Sequence, residues 1–279
     1  MKNLGYYNGK FDEIENMTVP MNDRVCYFGD GVYDATSSRN YKIFALDEHI
    51  DRLYNSAALL RIEIEQTKEE MKAILNDMLS KMDTGENFVY WQVTRATAMR
   101  DHVFPEGAKS NLWITIRHKD VIDIYKKVKL ITLEDTRFLH CNIKTLNLIP
   151  SVIASQKAKE AGCDEAVLHR GDRVTECAHS NVHIIKDGIF MTAPTDHLIL
   201  PGIARAHLIK ACKKLGIAVD ETPFTVDELM NADEVIVSSA STFGRSASEI
   251  DGKPVGGKAP ELLKKLQDEV MREFYEETE

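Results

Sequence analysis

The chain has 279 residues, 43% hydrophobic and 28% charged, enough for two modest domains or one large one with a sizeable core. Its net charge of −9, with no basic stripe, argues against nucleic acid as a partner. The opening residues lack the apolar core of a signal peptide, and no run reaches membrane-spanning length. Five scattered cysteines (Cys26, Cys141, Cys163, Cys177, Cys212) never show Cys-x-x-Cys spacing, which argues against a zinc site or disulfide framework and fits a reducing cytoplasm.

In chain order, Asn8-Gly9 between short aromatic runs predicts a tight hairpin turn. Gly29 and Gly31 bracket an aspartate in Tyr27–Tyr33, which reads as a loop whose backbone can approach a ligand closely. A helix is expected from Leu46 to Ile62, with Asp47 as N-cap and Ile50, Leu53, Tyr54, Ala57 and Leu60 at helical spacing. Arg52 lies off that apolar face and by itself reads most simply as a solvated arginine. A capping box, Thr67 to Glu70, opens a second helix to about Met82. Two β-rich runs, Phe88–Arg95 and Leu112–Arg117, flank a loop holding Arg100 and His102. Two apart in extended chain, these point to the same side and suit a grip on a carboxylate, although such pairs also arise on ordinary polar loops.

The charged stretch after His118 marks the expected domain boundary, giving a smaller α/β domain over 1–119 and a larger one over 120–279. A strand is expected from Val128 to Leu133, and another in the apolar run from Phe138 to Pro150. That second run holds one full cation, Lys144, and no acidic residue. Such a lysine either keeps its head in water or is a desolvated amine, the form a nucleophile requires. A helix over Ser151–Ala161 closes at Gly162, and strands follow at 164–169, 173–176 and 181–186. Glu176 ends one of these beside small residues, where a lone glutamate is either solvated or paired with a buried cation. Pro201-Gly202 opens a helix to Lys214, and Val235–Thr242 is a strand running into a hydroxyl-rich turn. Both features suit a phosphate, and both also occur as plain connections. An amphipathic helix from Pro260 ends the chain.

The order of these motifs carries more than any one of them. His49-x-x-Arg52-Leu53, Ile143-Lys144-x-Leu146-Asn147, Thr175-Glu176 followed by Ser180-Asn181, and Leu200-Pro-Gly-Ile203 together resemble the class IV, fold type IV pyridoxal-phosphate aminotransferases along essentially the whole chain. The resemblance implies a two-domain α/β (α+β) enzyme with the cofactor lysine in the larger domain. It implies that Lys144 holds pyridoxal 5'-phosphate as a Schiff base and moves protons at the substrate α-carbon. Glu176 would face the pyridinium nitrogen. Arg52, the backbone at Ile203-Ala204 and the turn at Ser239-Ala240 would bind the phosphate, Leu200 would pack on the ring, and Arg137 would approach its 3-hydroxyl. No metal is implied.

Within that family, Arg100-x-His102 together with Tyr33 is similar to the α-carboxylate trap of D-amino-acid transaminases. The implied reaction is a ping-pong transfer from a D-alanine-like amino acid to 2-oxoglutarate or pyruvate, by a cytoplasmic homodimer. Branched-chain L-amino-acid transaminase and aminodeoxychorismate lyase are the alternatives of the same fold. Three departures stand out: Ala204 and Ala240 lack the family's hydroxyls, Cys177-Ala178-His179 replaces a glycine–serine run, and Ala35–Arg39 lacks the expected basic residue unless Arg39 serves. The same reading makes Cys141 and Cys177 targets for thiol reagents.

Overall fold

In the computed structural model, which describes residues 2–279, Asn8 and Gly9 take φ of 45° and 90° and join β1 (Leu4–Tyr7) to β2 (Lys10–Glu13). A short helix, α1 (Arg24–Phe28), leads into β3 (Gly31–Arg39) and the two-residue β4 (Lys42–Ile43). Two helices follow, α2 (Leu46–Leu59) and α3 (Lys68–Ser80), then β5 (Asn87–Thr94) and β6 (Asn111–His118). These strands form an antiparallel sheet in the order β2-β1-β6-β5-β3-β4. Its core joins Val32, Val89, Trp91, Val93, Ile114 and Ile116 of the sheet to Ile50, Leu53, Leu75 and Leu79 of the helices.

The capping box at Thr67 forms as its spacing requires, the hydroxyl and Glu70 each satisfying the other's backbone N–H. The first helix differs from expectation. Its N-cap is Ala45, in the left-handed region, and Asp47 lies inside the first turn, where a carboxylate favours the helix dipole.

The second unit begins with β7 (Val128–Glu134), followed by α4 (Ile149–Glu160), β8 (Glu165–Arg170), β9 (Arg173–Cys177), β10 (Asn181–Lys186) and β11 (Ile189–Thr192). Then come α5 (Ile203–Lys214), β12 (Val219–Asp220), α6 (Val226–Asn231), β13 (Glu234–Ser238), β14 (Arg245–Ile250), β15 (Lys253–Pro254) and α7 (Pro260–Glu277). Its sheet runs β12-β11-β10-β13-β14-β7-β8-β9, with β15 paired to β14. β7 lies parallel to both β14 and β8, and α4 supplies the long crossover that a parallel neighbour needs. Val128, Leu130, Val167, Val182, Ile184 and Val235 lie in its core.

Two elements depart from the sequence reading. The chain from Phe138 to Leu148 is not a strand: Thr145 alone makes a β-bridge, to Val32. Thr145 N–H bonds Ile143 carbonyl at 2.8 Å, a three-residue turn incompatible with extended pairing. The units also divide after Val121, and the segment Ile143–Asn147, with Lys144, groups with the first unit, as do Glu276–Glu279. The expected division at 119 and 120 assigned Lys144 to the second. Bonds to β3 and α2 move it.

Candidate active site

Lys144 is held by its backbone from two sides. Its carbonyl accepts from Tyr33 N–H at 3.0 Å, its N–H donates to Ser56 Oγ on α2 at 3.2 Å, and Leu146 N–H donates to Gly31 carbonyl at 3.1 Å. A Cβ on Gly31 would meet Leu146 Cδ1 and the Val93 carbonyl, each at 2.7 Å, so this close crossing requires glycine. Lys144 Nζ sits 4.3 Å from the centre of the Tyr33 ring, which stacks on Tyr90 at 5.4 Å. Among the described residues no carboxylate lies within ion-pair distance of that amine.

The next residue of β3, Asp34, is fully buried. Its carboxylate takes Arg52 Nε and Nη2 at 2.9 and 2.7 Å and His49 Nδ1 at 2.7 Å. His49 and Arg52 stand three apart on α2, and so share the face turned to the sheet. Burial pushes the Asp34 carboxyl up, but Arg52 and His49 outweigh it and hold Asp34 well below the usual carboxylate range. For His49 burial prevails over the pull of Asp34, and its pKa is lowered. Arg52 is thus no solvated arginine: it is buried, with two of its nitrogens committed to Asp34.

Arg100 and His102 occupy the β5–β6 loop, exposed, each about one ring-contact distance from Phe28 (5.2 Å for both). Among the described residues none of their bonds or ring contacts reaches Tyr33 or Lys144. Arg39 ends β3 and directs a guanidinium nitrogen to the Thr278 carbonyl at 3.5 Å.

In the second unit, Glu176 is nearly buried in β9 and faces three donors: Arg137 Nη1, Asn181 Nδ2 at 2.9 Å and Leu200 N–H at 3.0 Å. Arg137 also grips Asp135 through two nitrogens at 2.9 Å each and donates to the Leu198 carbonyl at 3.1 Å. Burial works against this cation, yet Asp135 and Glu176 raise its pKa above the usual arginine value. Arg137 is therefore an anchor for Glu176, a partner the sequence did not reveal. Asn181 Nδ2 donates to the Leu200 carbonyl at 3.1 Å as well, and a Cβ on Gly202 would lie 2.0 Å from Asn181 Oδ1. Gly202 thus lets Asn181 reach Glu176. It caps α5 without a side chain, so the first N–H groups of the helix, at Ile203 and Ala204, keep the polarity that favours an anion.

Where β13 ends, Ser239 Oγ lies 2.9 Å from Thr242 Oγ1 and 3.4 Å from Ser241 Oγ. These hydroxyls adjoin Ala240 and restore polarity that the alanine lacks. His179, whose partner the sequence left open, pairs through Nδ1 with Glu165 at 2.9 Å. The two cysteines expected to react with thiol reagents differ in setting. Cys177 is buried with its thiol pKa pushed well up, whereas Cys141 is only partly buried, with burial raising its pKa to about 11; both shifts disfavour the reactive thiolate.

Sequence reasoning missed Asp34, the pairing of His49 with it, Asp135, and Asn181 as a partner of Glu176. For Asp34 a signal existed: an acid next to Tyr33 within a run long enough to be a strand.

Known proteins resemble the chain over almost its full length. It is 40% identical over 273 residues to the D-alanine aminotransferase of Listeria monocytogenes serotype 4b (strain F2365), covering 96% of this chain and 94% of that one. It is 36% identical over 275 residues to the D-alanine aminotransferase of Bacillus licheniformis, covering 98% and 97%. The solved branched-chain amino acid aminotransferase from Escherichia coli shares the fold with a TM-score of 0.90 at 22% identity, over 100% of this chain and 96% of that one. A second solved branched-chain amino acid aminotransferase, complexed with N-(5'-phosphopyridoxyl)-L-glutamate, does so with a TM-score of 0.88 at 24% identity, over 98% of this chain and 94% of that one. The family model described as amino-transferase class IV matches residues 31–250. That span begins at the glycine over which the lysine segment crosses and ends with the last long strand of the second sheet, so the chain belongs to the class IV aminotransferases.

Proposed function

We propose that this chain transfers the amino group of a D-amino acid, D-alanine above all, to a 2-oxo acid such as 2-oxoglutarate or pyruvate. The observation that carries this reading is the 40% and 36% identity, over nearly full length, to proteins named D-alanine aminotransferase. The side chains suit pyridoxal 5'-phosphate: an amine without a carboxylate partner, a carboxylate fixed by three donors, and a helix start without a side-chain cap beside which Gly202 is obligatory. When bound, that group supplies an electron sink for the bond broken at the substrate α-carbon.

Each residue then has a defined task. Lys144 Nζ, an amine with no carboxylate partner, would be the base that takes the proton from the substrate α-carbon. Glu176 would hold a proton on the ring nitrogen, its carboxylate aimed by Asn181, Arg137 and the Leu200 N–H. Leu200 would pack on the ring. The N–H groups of Ile203 and Ala204 and the Ser239-Ala240 turn would offer donors to the phosphate, and Arg52, half-neutralised by Asp34, is a further candidate for it. Arg100, His102 and Tyr33 bind the α-carboxylate, Arg100 by its guanidinium fork.

A homodimer fits the exposure of Met99 and Val103 beside Arg100 and His102, since carboxylate binding strengthens when a second surface excludes water. Free cysteines fit a reducing cytoplasm. No helix among the described residues is long and apolar enough to cross a membrane.

An absorbance scan of the protein loaded with cofactor tests the reading. D-alanine should bleach the yellow band and L-valine should not. Bleaching by L-valine alone would move the substrate to the branched-chain L-amino acids, and indifference to both would favour the lyase.

A further inference from the structure

The loop bearing Arg100 and His102 is exposed at its tip and fastened at its root. Met99 and Val103 are 79% and 72% exposed, whereas Arg24, which holds the loop, is 3% exposed. Arg24 Nη1 donates to the carbonyls of Asp101 at 2.6 Å and Val103 at 3.3 Å, the two residues flanking His102. Its Nε meets Asp30 at 2.7 Å, and Asp30 also takes Arg95 Nε at 2.9 and 3.1 Å. Arg95 in turn donates to the Leu60 and Arg61 carbonyls just past α2, at 2.9 Å each. The Phe28 ring is a shared platform: Arg24 Cζ lies 4.9 Å from its centre, Arg100 Cζ 5.2 Å, and the His102 ring 5.2 Å. On the loop's far side Phe104 packs 3.6 Å from Arg95 Cζ.

A buried cation is costly to keep, and a loop that only links two strands needs none. Here it fixes the backbone on both sides of one histidine, while one aromatic ring sets that histidine beside one arginine. Ordering of this kind, done before a ligand arrives, reduces the entropy lost on binding.

We infer that Arg24 and Phe28 are positioning residues that hold Arg100 and His102 in the geometry required by the substrate α-carboxylate. The inference rests on the carboxylate-binding role proposed above for that pair.

The test uses R24K, F28L and R100A holoenzymes. R24K keeps the charge opposite Asp30 but cannot also reach both carbonyls; F28L alters only a half-buried ring. Three quantities are read: KM and kcat for D-alanine, single-turnover bleaching by isopropylamine (an amine with no carboxylate), and amide exchange across residues 97–105. R24K and F28L should each raise KM about tenfold while kcat changes less than about threefold, the pattern for a lost contact that serves ground and transition states alike. Isopropylamine bleaching should be unchanged, and loop amides should exchange faster. In the R100A background R24K should add little, because coupled residues are not additive.

An unchanged KM in R24K and F28L, with R100A impaired, would overturn the positioning role and leave the carboxylate reading intact. Equal losses toward D-alanine and isopropylamine would overturn it too, as general structural damage. An unchanged KM in R100A would overturn the carboxylate reading itself. If R24K does not fold, F28L decides.

Discussion

At the scale of single residues, Asp34 of β3, next to the Tyr33 whose backbone bonds Lys144, is fully buried with His49 and Arg52 as partners. Removing one member of a buried ion pair costs more than the pair contributes, because the other charge is left unsolvated. D34N should therefore lower stability by about 3–5 kcal/mol in denaturant titration, a loss much larger than for a surface carboxylate. The contribution of Asp34 is fully present above its unfolded pKa near 3.8 and fades as pH falls below it, since its folded pKa is depressed. Thiol chemistry gives a second residue-level outcome. Iodoacetamide at neutral pH should modify exposed Cys26 first and spare Cys177, so modification of Cys26 should precede any loss of cofactor absorbance. Peptide mapping with a time course checks the order. The residues the sequence singled out by ordered motifs were Lys144, Glu176 and Arg52. Asp34 and Asp135 escaped because a carboxylate announces its burial only through partners that are distant in sequence.

Among the elements, the amphipathic ones were readable, including α3 with its capping box, α7, β5 and β6. β3 was not. It is buried on both faces and begins between two glycines, so it lacks the alternation that marks a half-exposed strand. The lysine segment misled in the opposite direction, being apolar because it is packed against β3 while lacking ladder partners of its own. In the second sheet, His183 of β10 connects the two elements proposed to bind phosphate. Its Nε2 lies 2.7 Å from Ser238 Oγ at the end of β13, and its Nδ1 lies 2.9 Å from Thr192 Oγ1, which accepts from Arg205 Nε of α5 at 3.1 Å. Burial, aided by the Arg205 cation, pushes this imidazole down to about 3. The unfolded chain therefore binds a proton that the folded chain refuses between about pH 6.5 and 3, and stability is lost as pH falls through that window. On this basis His183 accounts for about 2 kcal/mol of acid destabilisation at pH 5. H183Q keeps an amide for both neighbours and cannot titrate. Its melting temperature should fall less than wild type between pH 7.5 and pH 5, and an equal fall would show that His183 is not the group responsible.

For the whole molecule, the two-unit plan and the family were recoverable from motif order, and the expected boundary at 119/120 lies two residues from the division after Val121, while the return of later segments to the first unit was not legible. A boundary read along a sequence assumes that each unit is one continuous stretch, and here the first unit reclaims Ile143–Asn147 and Glu276–Glu279. Cofactor binding should stabilise the protein, since a ligand held by the folded state alone shifts the unfolding equilibrium. Holoenzyme should melt above apoenzyme by an amount that grows with the logarithm of free pyridoxal phosphate, about 2.7 kcal/mol at one hundred times its Kd. A melting temperature independent of added cofactor would contradict that assignment.

The crossing of the lysine segment over Gly31 also bears on how the chain is made. Strand β3 is complete by Arg39, but the backbone bonds that Tyr33 and Gly31 make to Lys144 and Leu146 must wait until more than a hundred further residues have left the ribosome. A contact of that sequence separation forms late and slowly, after the local helices and hairpins. Lys144 is thus sewn in as a late stitch, and a nascent chain halted before residue 143 would hold an otherwise finished first sheet with its seam open.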